Sequence, residues 1–216
     1  MRGETGATPR GDFRPNFGFS HSGMGIRNLA VMPRFRLLHT GYGGDRVAST
    51  VSLIESDSSL IVVDPGMVAS TSLILDPIQE AGRAAEEVTD VIFSHHHPDH
   101  TINAALFPQA RIHDHWAIYQ ADVWQSRPAE GFVVADGVTL WHTPGHTAED
   151  VTTIVTSEEG TIAFTHLWWY RDAPHHDPLC TDPEGLHRGR ERVLEVATLI
   201  VPGHGPAFVP DESTSR

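Results

Sequence analysis

Short apolar runs, broken at regular intervals by Gly, Pro, Asp and Ser, set the rhythm of this chain. Residues 35–38 and 47–54 predict strands, joined by the turn Gly41-Tyr42-Gly43-Gly44-Asp45. A buried strand over 58–66 ends at Pro65-Gly66. A helix follows over 70–82, with Leu73, Ile74, Ile78 and Ala81 on one face, Pro77 as a potential kink and Gly82 as stop. Next come a strand at 91–93, a short helix at 103–106, a strand at 111–113 and a helix over 115–124. Residues 138–142, 151–155 and 161–164 read as three strands in succession. Asp182 and Pro183 are a helix cap and first turn, the helix reaches about residue 198, and 199–201 closes as a strand. Helices that do not strictly alternate with strands disfavour a doubly wound sheet and favour two packed sheets with helices outside.

The first residues lack this patterning. They are glycine-rich without apolar periodicity, which predicts a mobile tail over 1–30 and one domain over 31–216. No apolar stretch reaches membrane-spanning length, and the start of the chain lacks the apolar core of a secretory signal, so a cytoplasmic location is expected. A chain of 216 residues, 39% hydrophobic and 20% charged, reads as an ordinary globular protein with room for a substantial core. A formal charge of −13 argues against nucleic acid as a partner without excluding it, since bound cations can hold a phosphate locally. The single cysteine, Cys180, has no disulfide partner within the chain.

Fifteen histidines are the anomaly. Directly behind the apolar run Val91-Ile92-Phe93 stands Ser94-His95-His96-His97-Pro98-Asp99-His100. His95, His97, Asp99 and His100 thus place three imidazoles and a carboxylate within six positions, the donor types that bind zinc and similar divalent ions. His96 lies between two of them and is expected to point away. Two more histidines follow a strand and a Pro-Gly turn: His146 in Thr143-Pro144-Gly145-His146 and His204 in Val201-Pro202-Gly203-His204. His166 ends the strand Ile162-Ala163-Phe164 in a similar way.

The order and spacing His95-x-His97-x-Asp99-His100, His146, His204, with Val62-Val63-Asp64-Pro65-Gly66 upstream, resemble the metallo-β-lactamase fold superfamily. The segment from Asp182-Pro183 to Val201-Pro202-Gly203-His204-Gly205-Pro206 narrows the likeness to the branch called metallo-β-lactamase domain-containing protein 1. The resemblance implies an α+β fold, a four-layer αββα sandwich, with a metal pair at one edge. It implies His95, His97 and His146 as ligands of one ion and Asp99, His100 and His204 as ligands of the other. Asp64 matches an aspartate that orients a ligand imidazole, and equally suits a turn before Pro-Gly. The chain departs from the pattern where most such hydrolases carry a metal-bridging aspartate: here the sequence reads Thr165-His166-Leu167. A neutral imidazole has one lone pair and serves one ion only, so His166, as a ligand, is terminal and leaves the site about one charge more positive.

These readings predict a metallo-hydrolase using one or two Zn²⁺, with Fe or Mn as other candidates. Its metal-activated water would attack an ester, thioester, lactone or amide in a small anionic substrate, with Asp99 both ligating and orienting that water. Phosphodiester cleavage of RNA and an iron-dependent redox reaction are the alternatives. Trp168, Trp169 and the loop over 172–178, with His175 and His176, are candidate cleft residues. Adjacent aromatics also form core or dimer contacts, and a homodimer is admitted on that ground.

Overall fold

In the computed structural model, residues 32–216 are described except 173 and 175. The tail expected over 1–30, and His175, therefore lie outside the described residues. The first half gives β1 (Arg34–His39), β2 (Val51–Glu55), β3 (Leu60–Val63), α1 (Ser72–Glu80), β4 (Asp90–Ile92), α2 (Pro98–Thr101) and β5 (Arg111–His113). It is followed by β6 (Ala117–Gln120), β7 (Val123–Ser126), β8 (Phe132–Ala135), β9 (Val138–His142), β10 (Val151–Ser157) and β11 (Gly160–Thr165). The chain closes with α3 (Pro183–Leu194) and β12 (Leu199–Pro202). β1 to β7 form one sheet in sequence order, and a second sheet runs β12-β11-β10-β9-β8. Pairing is antiparallel except for β3 with β4, β4 with β5, and β11 with β12.

The side-chain period of two sorts each strand between layers. Ile54, Ile61, Val63 and Ile92 of the first sheet meet Leu140, Val155, Ile162, Phe164 and Val201 of the second in the central core. Leu53, Val62 and Val91, one residue out of phase, face Ile74 and Ile78 of α1 on the outer side. Ile154, Ala163 and Ile200 face Leu186 and Val193 of α3 in the same way. The result is the expected αββα sandwich. Strands buried on both faces read as continuous apolar runs, which is why 58–66 and 161–164 stood out.

Two expectations fail locally. Residues 115–124 are a β-hairpin, with Gln120 opposite Val123 and Ala121 at φ 52° in the two-residue turn. Trp116, Ile118, Tyr119, Val123 and Trp124 are aromatic or β-branched, and cross-strand packing of such side chains overrides the helical spacing. The last helix stops at Leu194 rather than near 198, although its start is as expected, the Asp182 carboxylate accepting from the Gly185 amide at 2.9 Å. Pro77 lies inside α1.

Candidate metal centre

β4 carries the chain from the sheet into the ligand loop. Pro98 then starts α2 with its fixed φ and so returns Asp99 and His100 toward the same spot. The loops after β9, β11 and β12 add His146, His166 and His204. Six imidazoles from four segments pack together, with ring centroids 4.2 Å apart for His95–His100 and His146–His166 and 5.0 Å for His166–His204. All but His97 are buried to 4% exposure or less. Asp99 Oδ2 lies 3.5 Å from His100 Nε2 and 3.6 Å from His204 Nε2, and its side chain is 16% exposed.

Acceptor-only partners fix the protons outward. The Asp64 carboxylate sits 2.9 Å from His100 Nδ1, the Asp177 carboxylate 2.6 Å from His146 Nδ1, and the Ala48 carbonyl 3.0 Å from His204 Nδ1. None of these oxygens can donate, so each Nδ1 bears the hydrogen and each Nε2 turns a lone pair inward. Those inward atoms lack proper donors. His100 Nε2 and His166 Nδ1 are buried without a hydrogen-bond partner. His97 Nδ1 lies 3.0 Å from His95 Nε2 and 3.1 Å from His146 Nε2, and His166 Nε2 lies 3.0 Å from His204 Nε2. A tetrahedral ion with bonds of about 2.05 Å has edges of about 3.3 Å, close to the two donor separations at His97. His95, His146 and His166 form one set with donors within 4.8 Å of one another, and His100, His166 and His204 form another. His166 belongs to both.

The electrostatics agree with neutral donors. Burial, reinforced by neighbouring imidazoles, pushes His95 and His166 well below the ordinary histidine value. Burial also lowers His97 and His204. Their lone pairs are therefore free near neutrality.

A metallo-beta-lactamase superfamily model matches residues 44–212. The chain belongs to this superfamily. It is 34% identical over 185 residues to "Metallo-beta-lactamase domain-containing protein 1" of Xenopus laevis, covering 77% of this chain and 75% of that protein. Among solved structures it is similar to a metallo-beta-lactamase from Thermotoga maritima, with a TM-score of 0.66, 22% identity and coverage of 83% and 100%. It is also similar to a quorum-quenching N-acyl homoserine lactone lactonase, with a TM-score of 0.59, 18% identity and coverage of 83% and 94%. Members of the metallo-beta-lactamase superfamily are generally metallo-hydrolases. Among the described residues, no helix is long and apolar enough to cross a membrane.

The two candidate tryptophans part company. Trp169 stands 5.7–6.0 Å from the rings of His146, His166 and His204 and donates to Asp177 at 2.9 Å, so it walls the centre. Trp168 does not line the cleft. It is 1% exposed, packs with Phe208 under the Arg190 guanidinium, and donates to the Ser215 carbonyl at 3.0 Å. Successive residues point to opposite sides, and the second goes to the core beneath α3. His176 is exposed. His96 turns away from the cluster and meets Asp114 at 3.0 Å. Asp64 carries the orienting contact and also accepts from the Ser94 amide at 2.6 Å. Its backbone is held at φ 51°, a conformation that Asp tolerates better than most residues. Asp177 is the polar partner that sequence reasoning did not single out. Only its place in the loop beside His176 hinted at it.

Proposed function

We propose that this protein is a zinc-dependent hydrolase of an ester, thioester, lactone or amide in a small anionic molecule. The observation that carries the reading is the donor balance. Six imidazoles surround one carboxylate, Asp99, and the place of a second carboxylate is taken by His166. A divalent ion bound there would lower the pKa of its water to about 7 and supply hydroxide near neutrality. His95, His97 and His146 would hold one ion, and His100, His204, Asp99 and His166 the other. With a single negative donor, the centre keeps excess positive charge and favours a substrate that brings its own carboxylate or phosphate. Asp99 is more exposed than His100 and His204, so its carboxylate is placed to accept a hydrogen bond from an incoming water. Trp169 offers an apolar wall beside it. The likeness to a lactonase supports a carbonyl substrate over a phosphodiester, and the acidity of the whole chain supports a small molecule over RNA.

The test is metal analysis of the purified protein, followed by hydrolysis of carboxylate-bearing esters, thioesters, lactones and amides beside uncharged counterparts and phosphodiesters. Expected are zinc in the protein, loss of turnover with chelator, recovery with Zn²⁺, and a preference for anionic carbonyl substrates that shrinks in His166→Asp. Turnover indifferent to chelation, or confined to phosphodiesters, would overturn the reading.

A further inference from the structure

His96 stands between two residues of the central cluster yet faces elsewhere. Its side chain is 43% exposed, and its Nε2 lies 3.0 Å from the Asp114 carboxylate. Asp114 is in turn held by the Trp116 amide at 2.9 Å, the Ala117 amide at 2.8 Å and the Tyr119 hydroxyl. A carboxylate fixed by so many donors accepts and does not donate, so the neutral His96 ring carries its proton on Nε2 and its lone pair on Nδ1. This repeats the arrangement of Asp64 with His100 and Asp177 with His146, in which a carboxylate orients an imidazole toward a common point.

His96, His115 and Glu149 each bring one ligand atom within 4.8 Å of the other two. Nδ1 of His115 is buried without a hydrogen-bond partner, a second sign that something besides protein is suited to this spot. The His115 ring is fixed from one side by Trp116, stacked 5.1 Å away at 10°. All three side chains are partly or well exposed. Closing the donors by up to about 1.5 Å, to the edges of a zinc tetrahedron, therefore asks only for small rotations at the surface.

We propose that His96, His115 and Glu149 form a further divalent-cation site for a borderline ion such as Zn²⁺, apart from the central histidines. Two imidazoles and one glutamate are a zinc donor set that leaves a fourth position open to water or an anion. The site ties together segments already important to the centre. His96 is flanked by His95 and His97, Glu149 lies three residues beyond His146, and His115 follows β5. An ion here would brace the ligand loop against the His146 loop.

The experiment is a zinc titration of the metal-stripped protein in competition with a chromophoric chelator, together with zinc-edge anomalous scattering from soaked crystals. Expected is one weaker equivalent beyond those of the centre, with its anomalous peak between His96, His115 and Glu149. That equivalent should vanish in His115→Ala and weaken at least about tenfold in Glu149→Gln, whose neutral amide replaces a charged ligand. It should persist in His146→Ala, where the central triad is broken, so the outer site is judged separately from the hydrolase reading. Equal stoichiometry in the wild type and both outer variants, or an extra peak elsewhere, would overturn the proposal.

Discussion

Asp177 and Asp64 hold two imidazoles of the cluster in the same sense, each offering an oxygen that can only accept. Asp177 adds two anchors of its own, Trp169 Nε1 at 2.9 Å and the Leu179 amide at 2.8 Å, so the carboxylate is fixed before His146 meets it. Burial would raise its pKa, but the His146 contact and the Leu179 amide outweigh burial and hold it below the ordinary value. In Asp177→Asn the shape is kept and the charge lost, leaving His146 a poorer donor with a less certain tautomer. Zinc affinity should fall about 10–100-fold while the circular dichroism spectrum is unchanged. Chelator competition measures it, and affinity equal to wild type would remove Asp177 from this role. The ligand candidates were legible because six of them come in two readable forms: four donors in one short run, and two copies of Pro-Gly-His, of which His146 and His204 are the ends. Asp177 was not, because its partner lies 31 residues away and nothing local marks the pair. Trp168 and Trp169 were indistinguishable for a similar reason: adjacent side chains diverge, and only packing decides which reaches the core.

Elements were legible where burial is symmetrical and illegible where it is not. The inner strands β3, β4 and β11 show as apolar runs because both faces are covered. The hairpin β6–β7 lies at the sheet edge, with Val123 and Trp124 more than half exposed, so its pattern lacks a buried face to give it away. The short β8 was missed as well. Gly66, three residues beyond β3, marks a turn in the sequence, and the structure gives it a sharper reason. A Cβ on Gly66 would fall inside the contact distance of the Asp99 carbonyl and the Ser49 hydroxyl. That carbonyl accepts from the Met67 amide at 3.1 Å and the Ser49 amide at 3.2 Å, so it cannot retreat without breaking both. Gly66→Ala must therefore push α2 outward, and Asp99 and His100 with it. A loss of about 1–3 kcal/mol in stability is expected from overpacking, with metal affinity reduced more than in a surface control. Denaturant unfolding and zinc titration of the same variant check both, and retention of both would show that the loop yields more easily than its hydrogen bonds suggest.

For the molecule as a whole, the centre exists only because distant segments are held in register, and β4 is the strand that delivers the longest ligand run. Its base is pinned by Asp90, which is 0% exposed and accepts from Arg111 Nε at 2.8 Å, from His113 Nε2 at 2.7 Å and from the Thr89 hydroxyl at 2.8 Å. The cluster joins β4 to β5, and through Thr89 to the start of β3, where the Leu60 amide donates to the Thr89 oxygen at 3.1 Å. Burial opposes ionisation of Asp90, but its bonds to His113, Arg111 and Thr89 win, so the folded pKa lies below the ordinary 3.8. A carboxyl group with a depressed folded pKa contributes stability that is fully present above its unfolded value and is lost as pH falls through the folded one. Asp90→Asn removes the charge at every pH and leaves Arg111 and His113 without their anion. It should cost about 3 kcal/mol near neutrality, as expected when one partner of a buried pair is removed. Below pH 3.8 the unfolded wild-type chain takes up the proton first, so the gap between the two proteins should begin to narrow there and close as pH falls through the lower folded pKa. Urea unfolding of both at pH 7 and pH 3 reads this directly. A gap of the same size at both values would mean that packing around β4, and not the charge on Asp90, keeps the ligand strand in place.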